Sequence, residues 1–213
     1  MNIRKAAKAA MLVAASIGLT APLTGCVPAA AVGAGAGVLV FADRRPTETY
    51  IADEAIETRT ANRINEKFGD KAHVNVTSYD RAVLLTGEVP TDAARAEAER
   101  IATSVPNVKA ITNELLVSGP SSFGARSNDS YITSKVKARF VDANKFAANH
   151  VKVVTEAGTV YLLGIVTQRE ANDAVEIART TGGVLKVVRV FEIIPDDQAA
   201  KIDSRAQQDA AKK

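Results

Sequence analysis

The chain has 213 residues, 46% apolar and 24% charged, with six Phe, four Tyr and no Trp. Its core must therefore be built mainly from Val, Ile, Leu and Ala, and the length admits one or two domains. The formal charge of +3 is unevenly placed: Arg4, Lys5 and Lys8 precede the first acid, Asp43, and without those three the chain carries 24 basic against 24 acidic residues. That balance excludes a whole-chain basic surface for nucleic acid, which is not an expected partner. A single cysteine, Cys26, excludes an internal disulfide and a Cys-rich zinc centre.

Residues 1–25 have the layout of an export signal. A charged start (Arg4, Lys5, Lys8) is followed by a short apolar run from Ala9 to Leu19, and then by small and turn-forming residues with Pro22 and Gly25. The run is shorter than the roughly 17–25 residues that span a bilayer. Leu23-Thr24-Gly25-Cys26 resembles a bacterial lipobox. That resemblance implies acylation of Cys26 (the lipidation site, palmitate among the chains expected), cleavage before it, and a mature chain held in a membrane without a transmembrane helix. Val27 follows the cysteine where Asp would favour inner-membrane retention, so the resemblance implies sorting to the periplasmic face of the outer membrane.

Residues 26–46 form a lipidated start and linker. Val27–Ala42 is rich in Ala and Gly and makes a poor spanning helix. Two readings stand: a flexible spacer, or a segment that dips into the membrane interface. Asp43-Arg44-Arg45-Pro46 is a polar break before the folded region.

The remainder is a repeat with a period near 77 residues. Val83-Leu84-Leu85-Thr86-Gly87-Glu88-Val89 matches Val160-Tyr161-Leu162-Leu163-Gly164-Ile165-Val166, and His73-Val74-Asn75-Val76 matches His150-Val151-Lys152-Val153. Each copy begins with a helix, predicted over 53–68 and 130–141 from the stripes Ile56/Thr60/Ile64/Phe68 and Ile132/Val136/Phe140, with Asp53 and Asp129–Ser130 as N-caps. Two strands joined by a tight turn follow, then a second helix (91–104 and 168–180) and a last strand (108–117 and 184–194). The expected fold class is α+β: two tandem αββαβ domains over 47–118 and 129–195, each a three-stranded sheet with two helices on one face. Residues 119–128 read as a linker, from Ser118-Gly119-Pro120 onward. Residues 196–213 read as a polar tail, either a short helix or without fixed structure. The structural glycines Gly87 and Gly164 suggest a bulge or a close backbone approach, allowing the second helix to pack near the sheet.

This αββαβ repeat, with Leu-Leu-Thr-Gly-Glu-Val and Leu-Leu-Gly-Ile-Val around Gly87 and Gly164, resembles the BON-domain family. With the signal and lipobox, it is similar to the dual-BON lipoproteins of Gram-negative bacteria. The resemblance implies binding of anionic phospholipid, such as phosphatidylglycerol, and a part in outer-membrane integrity. A soluble periplasmic relative is induced by osmotic stress.

No catalytic constellation is present, so the chain is not expected to be an enzyme, and neither a cofactor nor a metal site is expected. Two His at equivalent places in separate copies are poor partners for one site. Residues 47–118 carry 8 basic against 12 acidic residues and residues 126–195 carry 10 against 7, which favours the second copy as the one facing an anionic surface. Its first helix places Tyr131, Lys135 and Arg139 at i, i+4 and i+8, with Lys137 nearby. An aromatic among cations suits a lipid interface, and the resemblance implies that this helix carries phospholipid binding. The first copy has Arg59, Arg63 and Lys67 on the same stripe, so a solvated basic face is the competing reading. An adaptor or chaperone-like role, docking an outer-membrane assembly protein, is the alternative function.

Overall fold

The computed structural model describes residues 44–211; the signal, Cys26 and the Ala/Gly-rich segment lie outside the described residues. In chain order the elements are α1 (Thr47–Phe68), β1 (His73–Tyr79), β2 (Ala82–Val89), α2 (Asp92–Thr103), β3 (Ala110–Asn113), β4 (Leu116–Val117), α3 (Phe123–Ala143), β5 (Lys152–Glu156), β6 (Thr159–Val166), α4 (Gln168–Arg179), β7 (Lys186–Ile193) and α5 (Asp196–Ala211). Two αββαβ units are thus present, an α+β fold.

Each unit follows the same topology. A tight turn joins β1 and β2 as an antiparallel hairpin, and the helical crossover through α2 returns β3 and β4 parallel to β2. In the second unit β5 is antiparallel and β7 parallel to the central β6. The last strand of the first unit is broken at Glu114–Leu115, yet Ala82↔Ala110 and Glu88↔Leu116 keep one register. The break adds no residue, and Leu115 enters the core.

The helical stripes meet the sheets as their periodicity requires. Ile132, Val136 and Phe140 pack with Ala174, Ile177 and Ala178 of α4 and with Val160, Leu162 and Val166 of β6. Ile56 and Ile64 do the same against α2 and β2. Phe140 meets Phe146 edge-on, with ring centroids 5.1 Å apart.

Both first helices start earlier than their stripes indicate. Pro46 accepts the Thr49 and Tyr50 amides and opens α1, while the Ser122 hydroxyl accepts the Ala125 amide and opens α3. Residues 123–128 are therefore helix rather than linker. Asp53 and Asp129 do not cap these helices. They are buried within them and reach across to the hairpin turns, where Asp53 accepts the amides of Asp80 and Arg81 and Asp129 those of Ala157 and Gly158. Asp80, Arg81, Ala157 and Gly158 all have positive φ, and the carboxylate holds that costly backbone in place.

The glycines also have a different neighbour from the expected one. A Cβ at Gly87 would lie 2.0 Å from the carbonyl oxygen of His73, and one at Gly164 would lie 2.3 Å from that of His150. The close approach comes from the chain at or just before the neighbouring strand, rather than from the second helix.

The face of each sheet turned away from its helices is not bare. Tyr79 and Leu84 of the first unit share a buried cluster with Tyr161, Leu163 and Ile165 of β6 and with Ile194 and Ala199. β2 and β6 are in consequence buried on both faces, from Val83 to Val89 and from Val160 to Val166. Residues after Pro195 form α5, whose Ala199 and Ile202 join that cluster. The tail is part of the fold.

Candidate functional site

The three basic residues from Lys135 to Arg139 of α3 stand in different situations. Tyr131 is 63% exposed. Lys135 lies 4.6 Å from the centre of its ring and donates to the carbonyl of Gly182. Arg139 is half-buried; its guanidinium donates to the Ile177 carbonyl at 3.0 Å and to the Thr181 hydroxyl at 2.9 Å. Lys137 is exposed on the other flank of the helix, where it lines a cleft with Tyr50, Glu54 and Glu57 of the first unit. Tyr131, Lys135 and Arg139 thus follow one edge, and Lys137 does not join them.

Arg139 has a counterpart. Arg63 in α1 donates to the hydroxyl of Ser104 at 3.0 Å, at the end of α2. In both units an Arg on the first helix grips the carboxyl end of the second, where exposed carbonyls favour a cation. That shared task accounts for the recurrence of Arg63 and Arg139 and makes it a property of the fold.

An exposed apolar side chain that no motif in the sequence marks belongs to the same domain as Tyr131. Leu185, 81% exposed, packs against Gly158. The Gly158 amide is bound by Asp129, two residues before Tyr131. Leu185 therefore stands near the turn that Asp129 holds, two residues before Tyr131 in α3, and the exposed Lys186 follows it in the chain. Its signal in the sequence was weak: the second of two apolar residues, Val184 and Leu185, after Gly182-Gly183, with nothing local to say that its side chain stays in water. Phe123, also 81% exposed, lies in the first turn of α3.

The two histidines occupy separate clusters. His73 Nδ1 stands 3.0 Å from Glu88 Oε2, and Glu156 of the second unit lies close by, bound by the Asn75 amide at 2.6 Å. Burial raises the Glu156 carboxyl above its ordinary range, with the Glu88 and Asp129 charges adding to this and Asn75 and His73 opposing it. His150 is buried near Glu170 and Asp203, both of which are gripped by Arg44: its guanidinium donates to Glu170 at 2.7 Å and to Asp203 at 2.8 Å. Burial opposes ionisation of Glu170, but the His150 ring, Arg44 and the Thr167 amide outweigh it and hold the carboxyl far below the usual range. Arg44 thus pins the chain just before α1 to α4 and α5. Among the described residues no helix is long and apolar enough to cross a membrane.

A repeated αββαβ unit with a glycine pressed on the preceding chain in both copies defines a two-domain α+β protein, and its family is shown directly. Residues 52–119 and 128–195 each match the BON domain, and the chain belongs to the BON-domain family. It is 39% identical over 180 residues to the outer membrane lipoprotein DolP of Haemophilus influenzae, covering 84% of this chain and 93% of that one. It is 34% identical over 154 residues to a 21 kDa hemolysin of Actinobacillus pleuropneumoniae, covering 71% of this chain and 79% of that one. It is 28% identical over 156 residues to the osmotically inducible protein Y of Escherichia coli, covering 71% and 78%.

Proposed function

We propose that this chain is a lipid-anchored protein of the periplasmic face of the outer membrane, held by Cys26, that binds anionic phospholipid through its second BON domain. The likeness to an outer membrane lipoprotein over most of both chains supports the location. The observation that carries the lipid reading is the exposure of both Tyr131 and Leu185 in the second domain, with Lys135 4.6 Å from the Tyr131 ring centre and the exposed Lys186 next to Leu185 in the chain. An aromatic ring and a leucine at headgroup depth, with cations around them, join apolar transfer to attraction by an anionic surface. Each cation contributes on the order of 1 kcal/mol near such a surface. Arg139 is assigned to the α4 grip rather than to lipid.

The test is sedimentation of the full chain, kept unacylated by Cys26→Ser, with phosphatidylglycerol vesicles and with neutral phosphatidylcholine vesicles. Binding to the former at low salt, weakened at high salt and reduced about ten-fold or more by Tyr131→Ser with Leu185→Ser, is the expected result. Equal binding by the parent and the double variant would move the contact elsewhere. No binding by the parent would favour the adaptor reading, in which the acyl anchor alone holds the protein at the membrane.

A further inference from the structure

We infer that His73, Glu88 and Glu156 form a binding site for a divalent transition-metal ion of the zinc type, placed at the junction of the two domains. One donor atom from each lies within 4.8 Å of the other two. The sequence disguises this set: strand pairing of β1 with β2 brings His73 opposite Glu88, and packing of the second domain delivers Glu156 from the end of β5. Both carboxylates are buried, at 3% and 5% exposure. Their hydrogen-bond partners are neutral or titratable: the His73 ring and the Ser121 amide for Glu88, and the Asn75 amide for Glu156. With both carboxylates ionised, the form in which they act as ligands, a single imidazole leaves the site negative even when the ring is protonated. A dication removes that excess and takes all three groups as ligands.

The donor set is selective. One imidazole nitrogen and two carboxylate oxygens suit zinc and its neighbours better than magnesium, which favours an all-oxygen shell with several waters. Tetrahedral zinc sets its donors about 3.4 Å apart, close to the 3.0 Å between His73 Nδ1 and Glu88 Oε2, and Glu156 offers an oxygen within 4.8 Å of both of the other ligands. A cleft of about 340 Å³ beside Glu156, lined also by His73, Asn75, Arg126 and Thr133, gives an entry path and room for a water as fourth ligand. Asn75, already bound to Glu156, orients that carboxylate as outer-shell partners of metal ligands do. The bound ion ties β1 and β2 of the first domain to β5 of the second, so it acts as a clasp on the domain junction.

The experiment uses the full chain in detergent, stripped with a chelator and dialysed against micromolar zinc. One zinc per chain is expected, with a rise in Tm relative to the stripped protein, and no such rise with magnesium. Glu156→Gln and His73→Gln should each weaken retention by more than about ten-fold, since removing a ligand costs at least as much as disturbing an outer-shell partner. His150→Asn should leave retention unchanged, because that ring belongs to the Arg44 cluster. Circular dichroism of each variant in chelator reports whether it folds. Independently of any variant, X-ray absorption of the zinc-loaded parent should show a single imidazole among oxygen ligands. Failure of the parent to retain zinc, retention undiminished in a folded variant, or a shell without imidazole would each overturn the assignment.

Discussion

Arg139 and Ile177 meet through a guanidinium–carbonyl hydrogen bond of 3.0 Å that joins the first helix of the second domain to the end of its second helix. The same guanidinium reaches the Thr181 hydroxyl. Charge reversal here removes two hydrogen bonds and places an anion at a helix carboxyl terminus. Arg139→Glu should therefore lower stability by about 2–4 kcal/mol, summing a charged hydrogen bond and the reversed dipole interaction. Lys137→Glu, on the exposed flank, should stay within about 0.5 kcal/mol. Urea unfolding of both variants checks the contrast, and a destabilising Lys137→Glu beside a neutral Arg139→Glu would reverse the assignment of roles.

Gly87 and Gly164 should not tolerate a side chain. Alanine would set its Cβ 2.0 Å or 2.3 Å from a backbone carbonyl oxygen, and at Gly87 it would also occupy φ +105. Backbone must move in either case, so each substitution should cost about 3 kcal/mol or more. Gly119→Ala meets nothing within 4 Å and serves as the control. Thermal melts that ranked Gly119→Ala with the other two would refute the close-approach account.

The Arg44 cluster should hold the segment before α1 and the tail helix α5 together. Arg44→Ala strands the buried Glu170 and half-buried Asp203, and should cost about 3–5 kcal/mol by the usual penalty for breaking a buried pair. Proteolysis within Asp196–Ala211 should accelerate first. The Glu170 carboxyl is depressed in the folded chain, so its stabilisation is complete above the unfolded value near 4.5 and is lost only as pH falls towards the folded value. From pH 8 down to 5 the contribution of this group should stay full and constant; a loss of α5 protection in that window would contradict the cluster.

Tyr161 lies in the cluster shared by the two sheets, and burial, with the Glu114 and Glu156 charges adding to it, pushes its phenol up to about 12. A raised folded pKa stabilises below the unfolded value near 10, and that stability fades as pH climbs through the folded value. Domain docking should weaken between pH 10 and 12. Ultraviolet titration should find Tyr161 ionising near pH 12, and Tyr161→Phe should remove both that step and the alkaline loss.

The sequence by itself determined the repeat, the hairpins and the helical stripes, because each follows from spacing within a few turns or one strand pair. Ile132, Val136 and Phe140 must face a core whatever that core contains. The continuous apolar run from Val160 to Leu163 even held a sign that β6 is covered on both faces, since a strand open to water on one side alternates. What covers the second face was decided only by the tertiary structure. So were the grip of Arg139 on α4, the reach of Asp53 and Asp129 to their turns, the exposure of Leu185, and the meeting of His73, Glu88 and Glu156. Spacing along the chain reports which side of an element is buried; a partner tens of residues away is chosen by how the finished elements pack, and polar side chains then take whichever charges and carbonyls that packing sets before them.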